Sequence, residues 1–174
     1  MARLRPARCY RDVKRPYTRV SRVSSKSFIR GVPGSRIVKY HSGNLSKDYD
    51  YVVKLVSKQD IQIRHNALEA ARVLAHKYLE KTMPKNYHLW IKVYPHHVMR
   101  ENPLATGAGA DRYQTGMSHP FGKPIGRAAQ VSKGQDVIVV LVDEGNVEKA
   151  KEILKKAAYK LPMKYSVVVE KVKR

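Results

Sequence analysis

The chain has 174 residues, 43% of them hydrophobic, which is enough for a buried core and rules against wholesale disorder. Thirty-five Lys and Arg face 14 Asp and Glu, giving a formal net charge of +21 and a sequence pI near 10.2. Such an excess calls for a polyanionic partner, nucleic acid first and a membrane surface second. One cysteine, Cys9, excludes an internal disulfide and a thiolate metal cluster.

No apolar run approaches the ~20 residues of a membrane span, and Met-Ala-Arg-Leu-Arg-Pro lacks the apolar core of a secretory signal. The expectation is an intracellular, cytoplasmic protein with no membrane partner. It reads as one domain over residues 1–174, with a basic arm at 1–40 and a flexible loop at 100–121.

Residues 1–40 hold twelve cations and one acid, Asp12, so +11 of the charge sits in under a quarter of the chain. Arg3, Arg5, Arg8, Arg11, Arg15, Arg19, Arg22, Arg30 and Arg36 outnumber Lys14, Lys26 and Lys39, which suits planar recognition of phosphate and stacking on bases. Tyr10, Tyr17, Phe28 and Tyr40 are interleaved with them. Pro6, Pro16, Gly31, Pro33 and Gly34 exclude a long helix, so an extended arm that orders against RNA is expected.

Arg36 to Tyr40 reads as a short strand closed by a Ser42-Gly43-Asn44 turn. The β-branched run Tyr51 to Ser57 predicts a strand, with Gln59 to Ile63 extending it or forming another. In 65–82, Leu68, Ala71, Leu74, Ala75, Tyr78 and Leu79 recur at three and four, predicting a helix that ends before Pro84. Asn66 is its best cap by residue type. Tyr87 to Tyr94 alternates Leu89, Ile91 and Val93 with His88, Trp90, Lys92 and Tyr94, the pattern of a half-buried strand. Trp90 is placed either to stack on a base or to pack beneath another element.

From Arg100 to Phe121 neither periodicity holds, and Pro103, Gly107, Gly109, Gly116 and Pro120 break any regular element. A connection this long without structure is ordinarily functional or disordered. Beyond it, Gly122 to Arg127 leads into an irregular Gly-rich strand at Ala128 to Val131. A Lys133-Gly134 turn precedes a buried-looking strand, Gln135 to Val142. Gly145-Asn146 then signals a helix over Val147 to Lys160, and Tyr165 to Val172 closes with an alternating strand. The order predicts an α+β fold, an antiparallel or mixed sheet carrying two packed helices.

Chemistry is not legible in this pattern. Gly107-Ala-Gly109-Ala-Asp111-Arg112 lacks the third glycine of a dinucleotide fingerprint and the Lys-Ser/Thr of a P-loop. Glu101, Asp111 and His119 have nothing that orders them into a catalytic set, and acids are too scarce for a two-metal site. His65 and His76 read as surface polar groups. His96 and His97 are adjacent, so a strand would send them to opposite faces. No cofactor, no metal and no enzymatic activity are expected. Charge alone also admits a free-standing RNA- or DNA-binding protein.

Motifs narrow the choice. Arg5-Pro-Ala-Arg-Cys-Tyr10, Arg30-Gly-Val-Pro33, Ala67-Leu-Glu-Ala-Ala-Arg72 and His97-Val-Met-Arg100 occur in that order. Ala108-Gly-Ala-Asp-Arg112, Gln114-Thr-Gly-Met117 and Phe121-Gly-Lys-Pro124 follow. This series resembles the archaeal and eukaryotic branch of the large-subunit ribosomal protein sixteen family over nearly the whole chain. A short C-terminus and no targeting peptide favour an archaeal member.

The resemblance implies a hammerhead-type β arrangement and a structural role on large-subunit (23S) rRNA, near the central protuberance, the 5S rRNA vicinity and the A-site. The 100–118 loop would reach toward the peptidyl-transferase centre, where it would support positioning of A-site and P-site tRNA. Neighbouring ribosomal proteins and late assembly factors are further implied partners. Ala108, Gly109, Ala110, Asp111, Arg112, Tyr113, Gln114, Thr115, Gly116 and Met117 map to the tRNA-proximal tip. Arg5, Arg8, Arg30, Arg72 and Lys123 lie within or beside family motifs. With Arg3, Arg11, Lys14, Arg15, Arg19, Arg22, Arg36 and Arg127 they form the expected rRNA-binding set.

Overall fold

A computed structural model describes residues 5–14 and 17–172. Eight strands and two α-helices alternate: β1 (His41–Gly43), β2 (Tyr51–Ser57), β3 (Ile61–Arg64), α1 (His65–Thr82), β4 (His88–Ile91), β5 (His97–Glu101), β6 (Lys123–Val131), β7 (Asp136–Val142), α2 (Val147–Ala158) and β8 (Tyr165–Lys171). The fold is α+β with every strand pair antiparallel. It has two sheets where the sequence suggested one. Five strands run β1-β4-β7-β2-β8, and three run β3-β6-β5.

The two sheets share a core. Val53, Leu55, Leu89, Ile91, Ile138 and Val140 point from the larger sheet toward Ala150, Ile153, Leu154 and Ala157 of α2. Ile61, Ile63, Ala129 and Val131 of the smaller sheet join the same cluster with Leu68, Ala71, Ala75 and Leu79 of α1. Alanines on both helices leave little side chain between their axes, which lets α1 and α2 pack on one another. β7 lies between β4 and β2 and is buried from Val137 to Val140. That central position explains its continuous Val/Ile run.

Helix α1 has the bounds its periodicity predicts, but no side-chain cap. β3 runs directly into it, so Arg64 takes the cap position and the strand fixes the first turn. Asn66 instead accepts a hydrogen bond from the Ala67 N–H at 3.0 Å, one residue inside the helix. Helix α2 ends at Ala158 rather than Lys160. Its last turn tightens to three-residue bonds, Lys160 N–H to Ala157 O and Leu161 N–H to Ala158 O, each 3.0 Å.

Two strands are displaced from expectation. The first ladder falls on His41–Gly43 rather than Arg36 to Tyr40, because β4 sets the register with His41 opposite Trp90. Ile37 is instead a buried anchor, and Tyr40 O receives the Ile91 N–H at 2.8 Å. β6 begins at Lys123, five residues before the irregular strand expected at Ala128. The irregularity is a register shift at Met99/Arg100, opposite Pro124, which has no N–H for the ladder.

Candidate nucleic-acid interface

The smaller sheet brings the arm and the loop together. β5 and β6 are its adjacent strands, and residues 102–122 connect them. The arm crosses the same sheet. Gln62 of β3 donates its N–H to Arg11 O at 2.7 Å and its side-chain amide to Tyr10 O at 2.9 Å. Arg64 donates to Arg5 O at 2.7 Å, and its guanidinium lies 5.6 Å from the Tyr10 ring centroid. Further along, the Thr18 hydroxyl meets His97 Nδ1 at 3.3 Å.

The described part of the arm is therefore docked on the scaffold, with short 3₁₀ turns at Ala7–Cys9 and Ser24–Lys26. At 19–29 it doubles back, Arg19 O accepting the N–H groups of Phe28 and Ile29 at 3.0 and 3.3 Å. Ile29 is buried beneath this turn, and the Arg19 guanidinium stands 5.1 Å from the Phe28 ring centroid.

A direct contact latches the arm to the root of the loop. Arg5 Nε and Nη2 each approach Glu101 Oε1 at 2.7 Å, and the Tyr10 hydroxyl reaches Glu101 Oε2 at 3.4 Å. Burial, reinforced by that carboxylate, pushes the Tyr10 hydroxyl pKa up. Glu101 is thus committed to an ion pair, leaving Asp111 and His119 without it. Across the root, Arg100 places its guanidinium 4.2 Å from the Phe121 ring centroid. A cleft of about 520 Å³ opens between arm and root, lined by Tyr10, Gln62, His97, Met99, Met117 and Phe121 among others.

The loop has more structure than its composition suggested. Gln114 clamps its two limbs, Oε1 accepting the Ala105 N–H at 2.6 Å and Nε2 donating to Ala105 O at 3.3 Å. Asn102 Nδ2 donates to Gly116 O at 3.4 Å, and the Ser118 hydroxyl donates to Thr115 O. Between the limbs, Ala110–Arg112 forms a 3₁₀ turn entered through Gly109 at φ +75°, a left-handed conformation that glycine adopts without strain. Tyr113 at 88% exposure and Met117 at 66% project from this tip, and Asp111 and Arg112 are exposed beside them.

Of the expected phosphate contacts, Arg5, Arg8, Arg11, Lys14, Arg19, Arg22, Arg30, Arg36 and Lys123 are exposed. Arg3 and Arg15 lie outside the described residues. Arg72 and Arg127 are half-buried. Arg72 is gripped by Glu69 at 2.9 and 2.6 Å, so α1 already satisfies much of its donor fork. Arg127 donates to the Tyr94 hydroxyl at 3.1 Å. Arg36 also contributes its backbone N–H to His65 Nδ1 at 2.9 Å. Burial, with Arg36, Arg127 and Arg64 nearby, holds His65 below the usual imidazole range. The Arg5–Glu101 pairing and the clamping role of Gln114 were not distinguishable in the sequence, where Glu101 stood only as an unordered acid with Asp111 and His119 and Gln114 only as a motif residue of the loop tip.

No group of three His, Cys, Asp or Glu among the described residues is arranged to hold a metal ion. Cys9 is exposed. An excess of surface arginine, a docked aromatic-basic arm and a clamped glycine-rich loop define a scaffold for binding a polyanion. The particular family follows from comparison. Residues 13–168 match the model of ribosomal protein L16p/L10e, and the chain belongs to that family. It is 52% identical over 172 residues to the large ribosomal subunit protein uL16 of Staphylothermus marinus, covering 98% of this chain and 95% of the relative. The uL16 proteins of Archaeoglobus fulgidus and Methanocella arvoryzae are 46% and 47% identical over 172 and 173 residues. Each alignment covers 98% of this chain, and 95% and 96% of the relative respectively.

Proposed function

We propose that this protein is a structural, non-catalytic constituent of the large ribosomal subunit in the cytoplasm. Its arm and scaffold bind large-subunit rRNA near the central protuberance and A-site. The 100–118 loop extends toward the peptidyl-transferase centre, where it supports tRNA positioning and late subunit assembly. The observation that carries this reading is the Arg5–Glu101 latch. It couples a cationic RNA-binding segment to the base of a clamped loop whose tip is uncharged apart from Asp111 and Arg112. Phosphate contacts belong to the arm and fix orientation, while the small-residue tip suits close approach to crowded RNA surfaces.

The reading predicts a division of labour. Removing 102–118 leaves subunit association largely intact but impairs tRNA binding or late maturation, since the exposed arginines other than Arg112 lie elsewhere. Replacing Arg3, Arg5, Arg8 and Arg11 by Ala weakens association, each lost phosphate contact lowering the salt slope by ~0.7–0.9 log units. Sedimentation of subunits over a salt series, with protein-to-rRNA stoichiometry, provides the measurement. A protein mostly free at low salt, or bound to RNA without one-to-one stoichiometry, would identify a free-standing nucleic-acid-binding protein. Loss of association on loop deletion would make the loop an anchor.

A further inference from the structure

One face of the five-stranded sheet packs under the helices. The other carries a cross-strand row that the docked arm and loop do not account for. Register places His41 of β1 beside Trp90 of β4, Trp90 beside Val139 of β7, Val139 beside Lys54 of β2, and Lys54 beside Val168 of β8. Val139 is buried at the middle of the row, but none of the five belongs to the cluster that the two helices cover. Val168 is 38% exposed, Trp90 and Lys54 are half-buried, and His41 is exposed.

Aromatic rings gather at one end of this row. The His41 and Trp90 ring centroids are 5.4 Å apart with planes 20° from parallel. His88, on the same face two residues before Trp90, has its centroid 5.3 Å from that of His41, with planes 28° apart. A ring-nitrogen contact of 3.0 Å between His41 Nδ1 and His88 Nε2 fixes that pair edge to edge. Such a contact needs one donor and one acceptor, so it opposes charging both rings together. Lys92 sets its ammonium 5.3 Å from the Trp90 ring centroid while bonded to Asp136 at 2.8 Å.

We propose that the His41–Trp90–His88 array is a stacking platform for one unpaired RNA base, in addition to the phosphate contacts of the arm. This inference rests on the rRNA-binding reading given above. The His41 ring is near-parallel to both Trp90 and His88, so a flat heterocycle can lie along the array, which is the geometry of base stacking on sheet aromatics. The chain's +21 charge holds a phosphate backbone close, and the ammonium of Lys92 lies beside the platform. Lys92 and Lys54 are each already paired with an acid, Asp136 and Glu170. Local charge is therefore nearly balanced, and the platform selects for an exposed base rather than for additional phosphate.

Trp90 is the only tryptophan in the chain and reports on the platform directly. The full-length protein is titrated with a single-stranded oligoadenylate, a duplex RNA of equal length and large-subunit rRNA. Binding is read by anisotropy of labelled RNA, and the platform by tryptophan emission. The expected result is saturable quenching by single strand and by rRNA, and binding without quenching by duplex. Trp90→Leu then weakens single-strand binding roughly tenfold, the scale of one stacked base, and leaves duplex binding unchanged. Trp90→Phe keeps most of the affinity, which separates loss of stacking from loss of fold. If RNA binds while emission is unchanged and Trp90→Leu is neutral, the platform is refuted and the rRNA-binding reading stands. Quenching by a protein of the large subunit but not by rRNA would overturn it in favour of a protein contact. Failure of every RNA to bind overturns both readings.

Discussion

Gly122 is where a single methyl group tests the packing at the loop root most severely. A Cβ built there would lie 2.7, 2.8 and 2.9 Å from the C, N and O atoms of Glu101. These are backbone atoms of the neighbouring strand, so no side-chain rotation relieves the clash. β5 and β6 would have to separate by several tenths of an ångström where Glu101 holds Arg5. Overpacking of this kind costs about 1–3 kcal/mol. In a chain of this size each kcal/mol lowers the melting temperature by roughly 2–4 °C, so Gly122→Ala should melt about 2–12 °C below the parent.

Two other glycines supply the comparison. Gly109 has open space around it but φ +75°, so Gly109→Ala strains only the loop tip, which relaxes without the core. Gly145 has open space and an ordinary φ, so Gly145→Ala should be neutral or stabilising by about 0.4–1 kcal/mol through the unfolded chain. Thermal melts followed by circular dichroism rank the three. Should Gly122→Ala melt with the parent or with Gly145→Ala, the close approach of β5 and β6 at Glu101 is wrong.

Tyr87 gives a second test. It is fully buried, its hydroxyl donates to Glu80 Oε2 at 2.8 Å and lies 2.7 Å from His76 Nδ1, and burial followed by Glu80 pushes its pKa up. Tyr87→Phe keeps the ring and deletes these bonds, for an expected loss of about 1.5 kcal/mol in urea denaturation; no loss would mean the hydroxyl network contributes nothing. A third concerns pH. Burial is the leading cause that holds His65, His88 and His97 below the ordinary imidazole pKa. The folded state therefore binds fewer protons than the unfolded one. Stability is fully present above the unfolded value of about 6.5 and declines as pH falls through it. Denaturation midpoints should drop between about pH 7.5 and 5, and His65→Asn, which preserves an acceptor for the Arg36 N–H, should flatten part of the slope. A midpoint independent of pH over that range contradicts the burial of these rings.

What the sequence determined by itself was local or global in kind. Helix α1 followed from Leu68, Ala71, Ala75 and Leu79 and its end from Pro84, because a 3.6-residue repeat needs no knowledge of what it packs against. The inward and outward alternation of β4 likewise followed from Leu89 and Ile91 against His88 and Trp90. Partner class followed from a net charge of +21, since long-range repulsion depends on totals and not on topology.

Only the tertiary structure decided the rest. Arg5 and Glu101 are 96 residues apart, and no local pattern foretells that they meet. Pro6, Pro16, Gly31, Pro33 and Gly34 argue only for an extended arm; its docking on the edge of β3 through Gln62 is a tertiary fact. The division into two sheets came from β6 pairing with β3 and β5 instead of with the larger sheet, a choice between edges that strand propensity leaves open. Trp90 was ambiguous between core and surface for the same reason: alternation assigns a residue to a face, but only the packing of the helices decides which face is covered.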